Sequence, residues 1–294
     1  MFTVTLIAPG RLSTGDISTA QDRLAAHGCA PAAWGWIDEG DAADIAIALS
    51  PDAARTALEG AFAHTDIVVQ PSEGRAKALI VADMDSTMIT VECIDELADY
   101  AGIKPQIAEI TERAMRGELD FAGALDARVA LLAGLDEGAI DRCLAERVTL
   151  MPGAKTLVRT MKARGAYGVL VSGGFTRFAE PVGAEIGFDR VVANRLVVAN
   201  GQLTGAVERP IVDSGTKQAE LTRAVAARGL VAAQALAVGD GANDLQMIQV
   251  AGLGVAYHAK PIVAAAAGVR IDHNDLTALL WAQGIPRSEW VETS

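Results

Sequence analysis

Three short apolar runs decide most of what this chain can fold into. Lys77–Ala82 (KALIVA), Ala166–Val171 (AYGVLV) and Gln234–Val238 (QALAV) are unbroken by polar residues inside the run. Alternating apolar and polar residues would suit a sheet with one wet face. Continuous runs suit strands buried on both faces, the habit of a parallel sheet covered by helices. Gly252–Ala256 and Gly268–Ile271 are further strand candidates. Helical periods lie between the runs, after Pro152-Gly153 as far as Gly165, over Gly215–Arg228 and over Ala242–Ala251. Residues from about 90 to 150 are helical in period throughout, an insertion after the first of these strands. Arg195–Val198 and Gln202–Val207 flank Asn200-Gly201, a strong hairpin signal. The expectation is an α/β fold with a doubly wound parallel sheet and an inserted helical cap.

The first part of the chain reads differently. Strands are expected at Phe2–Ala8, about Ala32–Ile37, Asp44–Leu49 and Asp66–Gln70, with helices at Asp16–Ala26 and Pro51–Phe62. That βαββαβ order is the order of a small ferredoxin-like α+β unit, and it resembles ACT-type domains. The polar stretch Pro71–Arg75 marks a boundary, giving an N-terminal unit over 1–74 and a larger domain over 75–294. The N-terminal unit holds no cluster of chemistry-bearing residues and reads as a docking or dimerising module.

Composition removes several functions. Lys and Arg total 25 against 37 Asp and Glu, a net charge of −12, with no basic run to override it locally. Such a field repels nucleic acid and anionic membranes. No apolar stretch approaches the ~18 residues of a membrane span, and the N-terminus lacks the pattern of a secretory signal. The three cysteines, Cys29, Cys93 and Cys143, lie far apart and suggest neither disulfides nor a zinc cluster. A soluble cytoplasmic protein is expected.

Four segments at strand ends or helix starts carry candidate chemistry. Asp83-Met84-Asp85-Ser86-Thr87 follows the first apolar run, where open parallel sheets bind ligands. One carboxylate there can attack as a nucleophile while its neighbour two residues on serves as acid and base; an acidic strand end that turns the chain explains the pair equally well. Ser172-Gly173-Gly174 follows the second run and offers a hydroxyl and free N–H groups to an anion at a helix N-terminus, although an ordinary cap suffices. Lys217 opens a helix, where a cation opposes the dipole and needs a nearby anion. Gly239-Asp240-Gly241-Ala242-Asn243-Asp244 follows the third run, and its carboxylates suit a hard divalent cation. Together the four segments describe phosphoryl transfer, where catalysis is mostly positioning and charge neutralisation.

In this order these motifs resemble the haloacid dehalogenase superfamily. Within it, DMDSTMITVECIDELA (83–98), FAGALDARVALLAGL (121–135), VSGGFTRFAEPV (171–182), ANRLVVANGQLTG (193–205) and AVGDGANDLQMIQVAGLGVAYHAKP (237–261) resemble the phosphoserine phosphatase family. The resemblance covers residues 77 to 275. It implies Mg²⁺-dependent hydrolysis of O-phospho-L-serine, the last step of serine biosynthesis. It further implies that Asp83 is the nucleophile, that Asp85 is the acid and then the base, and that Mg²⁺ is held by Asp83, the Asp85 carbonyl and Asp240. Ser172, Gly173 and Lys217 would hold phosphoryl oxygens, with Asn243 on the phosphate and leaving-group side and Asp244 supporting the metal or Lys217. Glu92 would take the substrate ammonium and Arg128 its carboxylate; taken alone, each is an ordinary solvated helix residue. Met115 and Phe121 suit an apolar lid, and core packing suits them as well. A homodimer is compatible with the N-terminal unit.

Rival chemistries lack their motifs. Gly153-Ala154-Lys155-Thr156 lacks the first glycine of a P-loop and reads as a helix start. No GxSxG elbow is present, and His27, His64, His258 and His273 show no ligand spacing. An ion pump would need membrane helices. A silent regulatory protein would not need Asp83, Asp85, Lys217 and Asp240 together.

Overall fold

A computed structural model describes residues 1–116 and 118–291; the side chain of Met115 also lies outside the described set. Residues 2–71 carry β1 (Phe2–Ile7), α1 (Thr14–Ala26), β2 (Pro31–Asp38), β3 (Ala42–Ile47), α2 (Pro51–Leu58) and β4 (Asp66–Pro71). The strands form an antiparallel sheet in the order β2-β3-β1-β4, the ferredoxin-like arrangement expected from the element order. Ser13 and Asp16 close a reciprocal capping box that starts α1. One face of this sheet, with Val4, Leu6, Ile45 and Ile47, packs on the two helices.

The larger part begins with β5 (Leu79–Ala82), followed by α3 (Cys93–Tyr100), α4 (Lys104–Met115), α5 (Phe121–Ala130) and α6 (Gly138–Arg147). It continues through α7 (Ala154–Ala163), β6 (Tyr167–Phe175), α8 (Thr176–Ile186), β7 (Arg190–Asn194) and the hairpin β8 (Leu196–Ala199) and β9 (Gln202–Val207). Then come α9 (Ser214–Ala227), β10 (Ala235–Gly239), α10 (Leu245–Val250), β11 (Leu253–Tyr257), α11 (Pro261–Ala266), β12 (Val269–Ile271) and α12 (Ala278–Ala282). Six strands make one parallel sheet in the order β12-β11-β10-β5-β6-β7. All four residues of β5 are fully buried, which is why the sequence shows no polar alternation there. Strand β7 was not expected from the sequence: it lies at the sheet edge and is half exposed, so Arg190–Asn194 lacks a long apolar run.

Chain order leaves β5 toward β6 on one side and toward β10 on the other, so the end of β5 is a switch point of the kind where open α/β sheets bind ligands. Helices α3 to α6 rise above that end. The two cap linkers are joined to each other, Met151 N–H donating to the Met88 carbonyl at 2.9 Å and Thr90 N–H to the Thr149 carbonyl at 3.0 Å. The hairpin turns through Asn200 and Gly201, both with positive φ as a tight two-residue turn demands. It fastens to the cap through Gly134 N–H on the Leu203 carbonyl at 2.8 Å.

Candidate active site

Every segment singled out for its chemistry converges on the end of β5. Asp83 leaves that strand with its N–H on the Val238 carbonyl at 3.0 Å, and its Oδ1 accepts the Met84 N–H at 2.8 Å. The Lys217 ammonium, fully buried in the first turn of α9, lies 2.7 Å from Asp83 Oδ1 and 2.7 Å from Asp244 Oδ1. Burial alone would pull the lysine's pKa down, but the two carboxylates more than offset it and hold the group above its ordinary value. This is the compensating anion that a cation at a helix start requires. Asp244 uses both oxygens, since Oδ2 also accepts the Gly241 N–H at 3.0 Å.

Asp240 is left with oxygens to spare. Among the described residues its carboxylate takes one hydrogen bond, from Thr87 Oγ1 at 3.3 Å. Burial pushes it up to about 6, and the charges of Asp83 and Glu92 add to the shift. Asp83, Asp240 and Asp244 bring carboxylate oxygens within 4.8 Å of one another. Three carboxylates against one ammonium leave negative charge unbalanced in a low-dielectric pocket. A hard divalent cation on the spare oxygens of Asp83 and Asp240 fits that donor set, and Asp244 is occupied in holding Lys217.

Glycines make room for these groups. A Cβ on Gly239 would fall 2.3 Å from Asp244 Cγ, and one on Gly241 would fall 2.3 Å from Asn243 Oδ1. A Cβ on Gly174 would lie 2.8 Å from Asp85 Oδ2. The segment Ser172–Gly174 lies in the last part of β6, not at a helix N-terminus, because α8 begins only at Thr176. The expectation of a helix-dipole site at Ser172 is corrected accordingly. Ser172 Oγ instead accepts the Gly174 N–H at 2.8 Å, where the β6–β7 register shifts between Val171 and Phe175. The Asp240 loop also opens with a 3-10 turn over Ala242–Asp244 before α10, where one continuous helix was expected.

Asp83, Asp240, Gly241 and Gly174 line a cleft of about 100 Å³ together with Asp85, Glu92, Arg128, Gly173, Asn243 and Phe121, while Lys217, Asp244 and Ser172 are buried. Asp85 Oδ1 accepts the Cys93 N–H at 3.2 Å. Its carboxyl is pushed up to about 8, first by burial and then by the charges of Glu92 and Asp83. Glu92 stands at the N-cap of α3, is exposed, and accepts from Ser86 Oγ at 2.7 Å. Arg128 on α5 donates Nε to the Ala124 carbonyl at 3.2 Å. Among the described residues its terminal nitrogens have no hydrogen-bond partner and no carboxylate lies in ion-pair range. Burial lowers its pKa, and Asp95, Glu92 and Asp85 attract it. Phe121, at the start of α5, comes so near Gly173 that a Cβ there would meet its Cζ at 3.3 Å.

Two lining or supporting residues were not assigned roles from the sequence. Lys260 lines the cleft and bonds the Asp240 carbonyl through its N–H at 3.2 Å. Asn194 is buried beneath Gly173. Both fall inside quoted motifs: Asn194 ends β7, a strand the sequence did not reveal, and Lys260 is the N-cap of α11, a short helix not expected from the sequence. Cys93 is buried against Asp85 and its thiol is pushed upward by that burial, as suits a packed small hydrophobe.

Residues 80–249 match the haloacid dehalogenase-like hydrolase family. The chain belongs to that family. Within it, the relatives that the chain resembles are phosphoserine phosphatases. One from Streptomyces coelicolor is 47% identical over 239 residues, covering 80% of this chain and 58% of that protein. Another from Streptococcus thermophilus is 48% identical over 200 residues, covering 68% of this chain and 93% of that one. The crystal structure of a probable phosphoserine phosphatase from Vibrio cholerae superposes with a TM-score of 0.76 at 32% identity, covering 96% of this chain and 88% of that one. The chain thus spans less than two thirds of the length of the Streptomyces relative. No helix among the described residues is long and apolar enough to cross a membrane.

Proposed function

We propose that the chain hydrolyses O-phospho-L-serine to L-serine and phosphate through an aspartyl-phosphate on Asp83, with Mg²⁺ as the divalent cation. The observation that carries this reading is the pairing of two ends in one cleft. Asp83, with Lys217 buried against it, and Gly173-Gly174 lie at one end, and at the other are a carboxylate (Glu92) and a guanidinium (Arg128) that has no ion-pair partner among the described residues. A phosphorylated amino acid presents the matching set of phosphate, ammonium and carboxylate. A guanidinium can grip a carboxylate through two parallel hydrogen bonds. The relatives' names support the substrate.

In this mechanism an Asp83 oxygen attacks phosphorus and the bond from phosphorus to the serine oxygen breaks. Asp85 gives its proton to that oxygen, a role suited to a carboxyl whose pKa burial has pushed up to about 8. Asp85 then takes a proton from a water molecule whose oxygen attacks phosphorus, the bond to Asp83 breaks, and phosphate leaves. Ser172, the Gly173 N–H and Lys217 hold the phosphoryl oxygens as charge redistributes, and Asn243 faces the leaving-group side. When bound by Asp83, Asp240 and the Asp85 carbonyl, Mg²⁺ would neutralise phosphate charge.

The same reading takes the reaction as the last step of serine biosynthesis in the cytoplasm, and divides the chain into units over 1–74 and 75–294. It includes a homodimer through the N-terminal unit, where edge strand β2 leaves Trp34 exposed. Phosphate release from O-phospho-L-serine with Mg²⁺, with Asp83→Asn as control, tests the activity. Metal-dependent release that collapses in the variant supports it. No release from folded, metal-loaded protein moves the substrate to another phosphate ester.

A further inference from the structure

We propose that Asn194 is a positioning residue for the phosphoryl end of the site, acting by tying the irregular Gly173-Gly174 stretch of β6 to the segment that delivers Lys217. The inference rests on the phosphatase reading above. Two consecutive glycines give the backbone its greatest freedom, yet the room beside Asp85 and Phe121 admits nothing larger without displacement. The course of this irregular stretch must therefore be imposed by hydrogen bonds. One comes from within, Gly174 N–H to Ser172 Oγ. The other comes from Asn194, whose Nδ2 donates to the Gly173 carbonyl at 2.7 Å.

The same amide reaches the second segment. Asn194 Oδ1 accepts the Val212 N–H at 2.8 Å. The next residue, Asp213, caps α9 by accepting the Thr216 N–H at 2.8 Å, and its carbonyl accepts the Lys217 N–H at 3.0 Å. Among the described residues no other hydrogen bond joins residues 172–175 to residues 211–217. Asn194 is 2% exposed and Val212 5%, so the freed Val212 N–H would not find water easily; Gly173 is partly buried at the cleft wall. The geometry asks for one donor and one acceptor on a single short planar group. Aspartate lacks the donor, and glutamine is one methylene too long.

A merely structural amide would satisfy two backbone groups at the sheet edge and nothing more. A positioning amide makes a further demand: its loss must fall on the phosphoryl step, whatever ester is offered. Asn194→Asp keeps the shape and the acceptor for Val212 but removes the donor to Gly173; Asn194→Ala removes both. The expected result is a kcat lower by about 10- to 100-fold for both O-phospho-L-serine and an aryl phosphate, with KM little changed, the scale of a misplacement near 1 Å. Orthovanadate affinity of the Mg²⁺-loaded protein should fall by a similar factor. Amide hydrogen exchange at Val212 should accelerate in Asn194→Ala and stay slow in Asn194→Asp.

Variants that fold and keep kcat and orthovanadate affinity within about twofold of the parent would reduce Asn194 to a structural role. A loss confined to O-phospho-L-serine would move its action to the amino-acid end and equally overturn the proposal. If the parent chain hydrolyses neither ester, the functional reading fails, and orthovanadate binding to parent and variants still decides the role of Asn194.

Discussion

Lys217 stands between two carboxylates in a site that excludes water, and the balance of charge there governs what single substitutions should do. Removing the ammonium leaves Asp83 and Asp244 buried without a partner, so Lys217→Met is expected to destabilise the metal-free chain by about 3–5 kcal/mol, measurable by denaturant unfolding. Removing Asp240 acts in the other direction. Its folded pKa of about 6 lies above the usual carboxylate value, so its charge destabilises the metal-free fold as pH rises from about 4 through 6. Asp240→Asn is therefore expected to raise the metal-free Tm at pH 7 and to abolish the further rise that Mg²⁺ produces in the parent, as read by thermal unfolding. Asp85 carries its proton until about pH 8. Turnover of O-phospho-L-serine is expected to fall on the alkaline side at that value, or somewhat below it once a bound cation adds its attraction. Glu92→Gln removes a neighbouring negative charge and should shift the limb to lower pH. An aryl phosphate, whose leaving group needs no proton, should show little of this limb in the rate of the first burst of product.

At the scale of the element, three loops and one helix start build the site, and the sequence foretold them unequally. Runs such as Leu79–Ala82 were legible because strands buried on both faces leave no polar residue to confuse the pattern. The Asn200-Gly201 hairpin was legible because few sequences other than Asn-Gly tolerate two successive positive φ values. Strand β7 was hidden by its exposure at the sheet edge, and the extended course of Ser172–Gly174 by glycines that suit a turn as readily as a strand. Of the candidate residues, Glu92 and Arg128 were readable only through resemblance, since a lone charge on a helix usually points into water. Their convergence on one cleft belongs to the packing of α3 on α4 and of α4 on α5. If that convergence serves the amino-acid end, Arg128→Met and Glu92→Gln should each lower kcat/KM for O-phospho-L-serine by about 100-fold or more, while an aryl phosphate loses less than about tenfold. Equal losses on both esters would remove the clamp from the mechanism.

Across the whole molecule, the two sheets share buried surface through α12. Ile7, Ala42 and Val68, on the face of the antiparallel sheet away from its helices, belong to one continuous core with Leu279 and Trp281. Polar contacts reinforce the seam. Trp281 Nε1 donates to Asp38 at 2.6 Å, Gln70 Nε2 to the Ala282 carbonyl at 2.6 Å, and Arg75 pairs with Asp44 at 2.6 Å. Asp66 on β4 accepts the N–H groups of Asp272, His273 and Asn274 and the Asn274 side-chain amide. His258, read from the sequence as structural, meets the same loop through the Asn274 carbonyl at 3.0 Å. Trp281→Ala is accordingly expected to cost about 3–5 kcal/mol by denaturant unfolding. A chain truncated to residues 75–294 should show a lower Tm and bind a hydrophobic dye, because α12 would lose one of its walls.

Local periodicity and turn chemistry act over a few residues, so the amino-acid order was enough for the βαββαβ unit, the buried strands β5, β6 and β10, the hairpin and the chemical kinds of residue that follow those strands, but not for edge strand β7 or for how far β6 extends. Only the tertiary structure decided which charges meet. That Lys217 bridges Asp83 and Asp244, that Asp240 keeps oxygens to spare and that Asn194 spans two loops depend on side chains up to 161 positions apart in the chain, as Asp83 and Asp244 are. Burial and Coulomb interaction are set by distance in space, and the folded sheet alone fixes that distance.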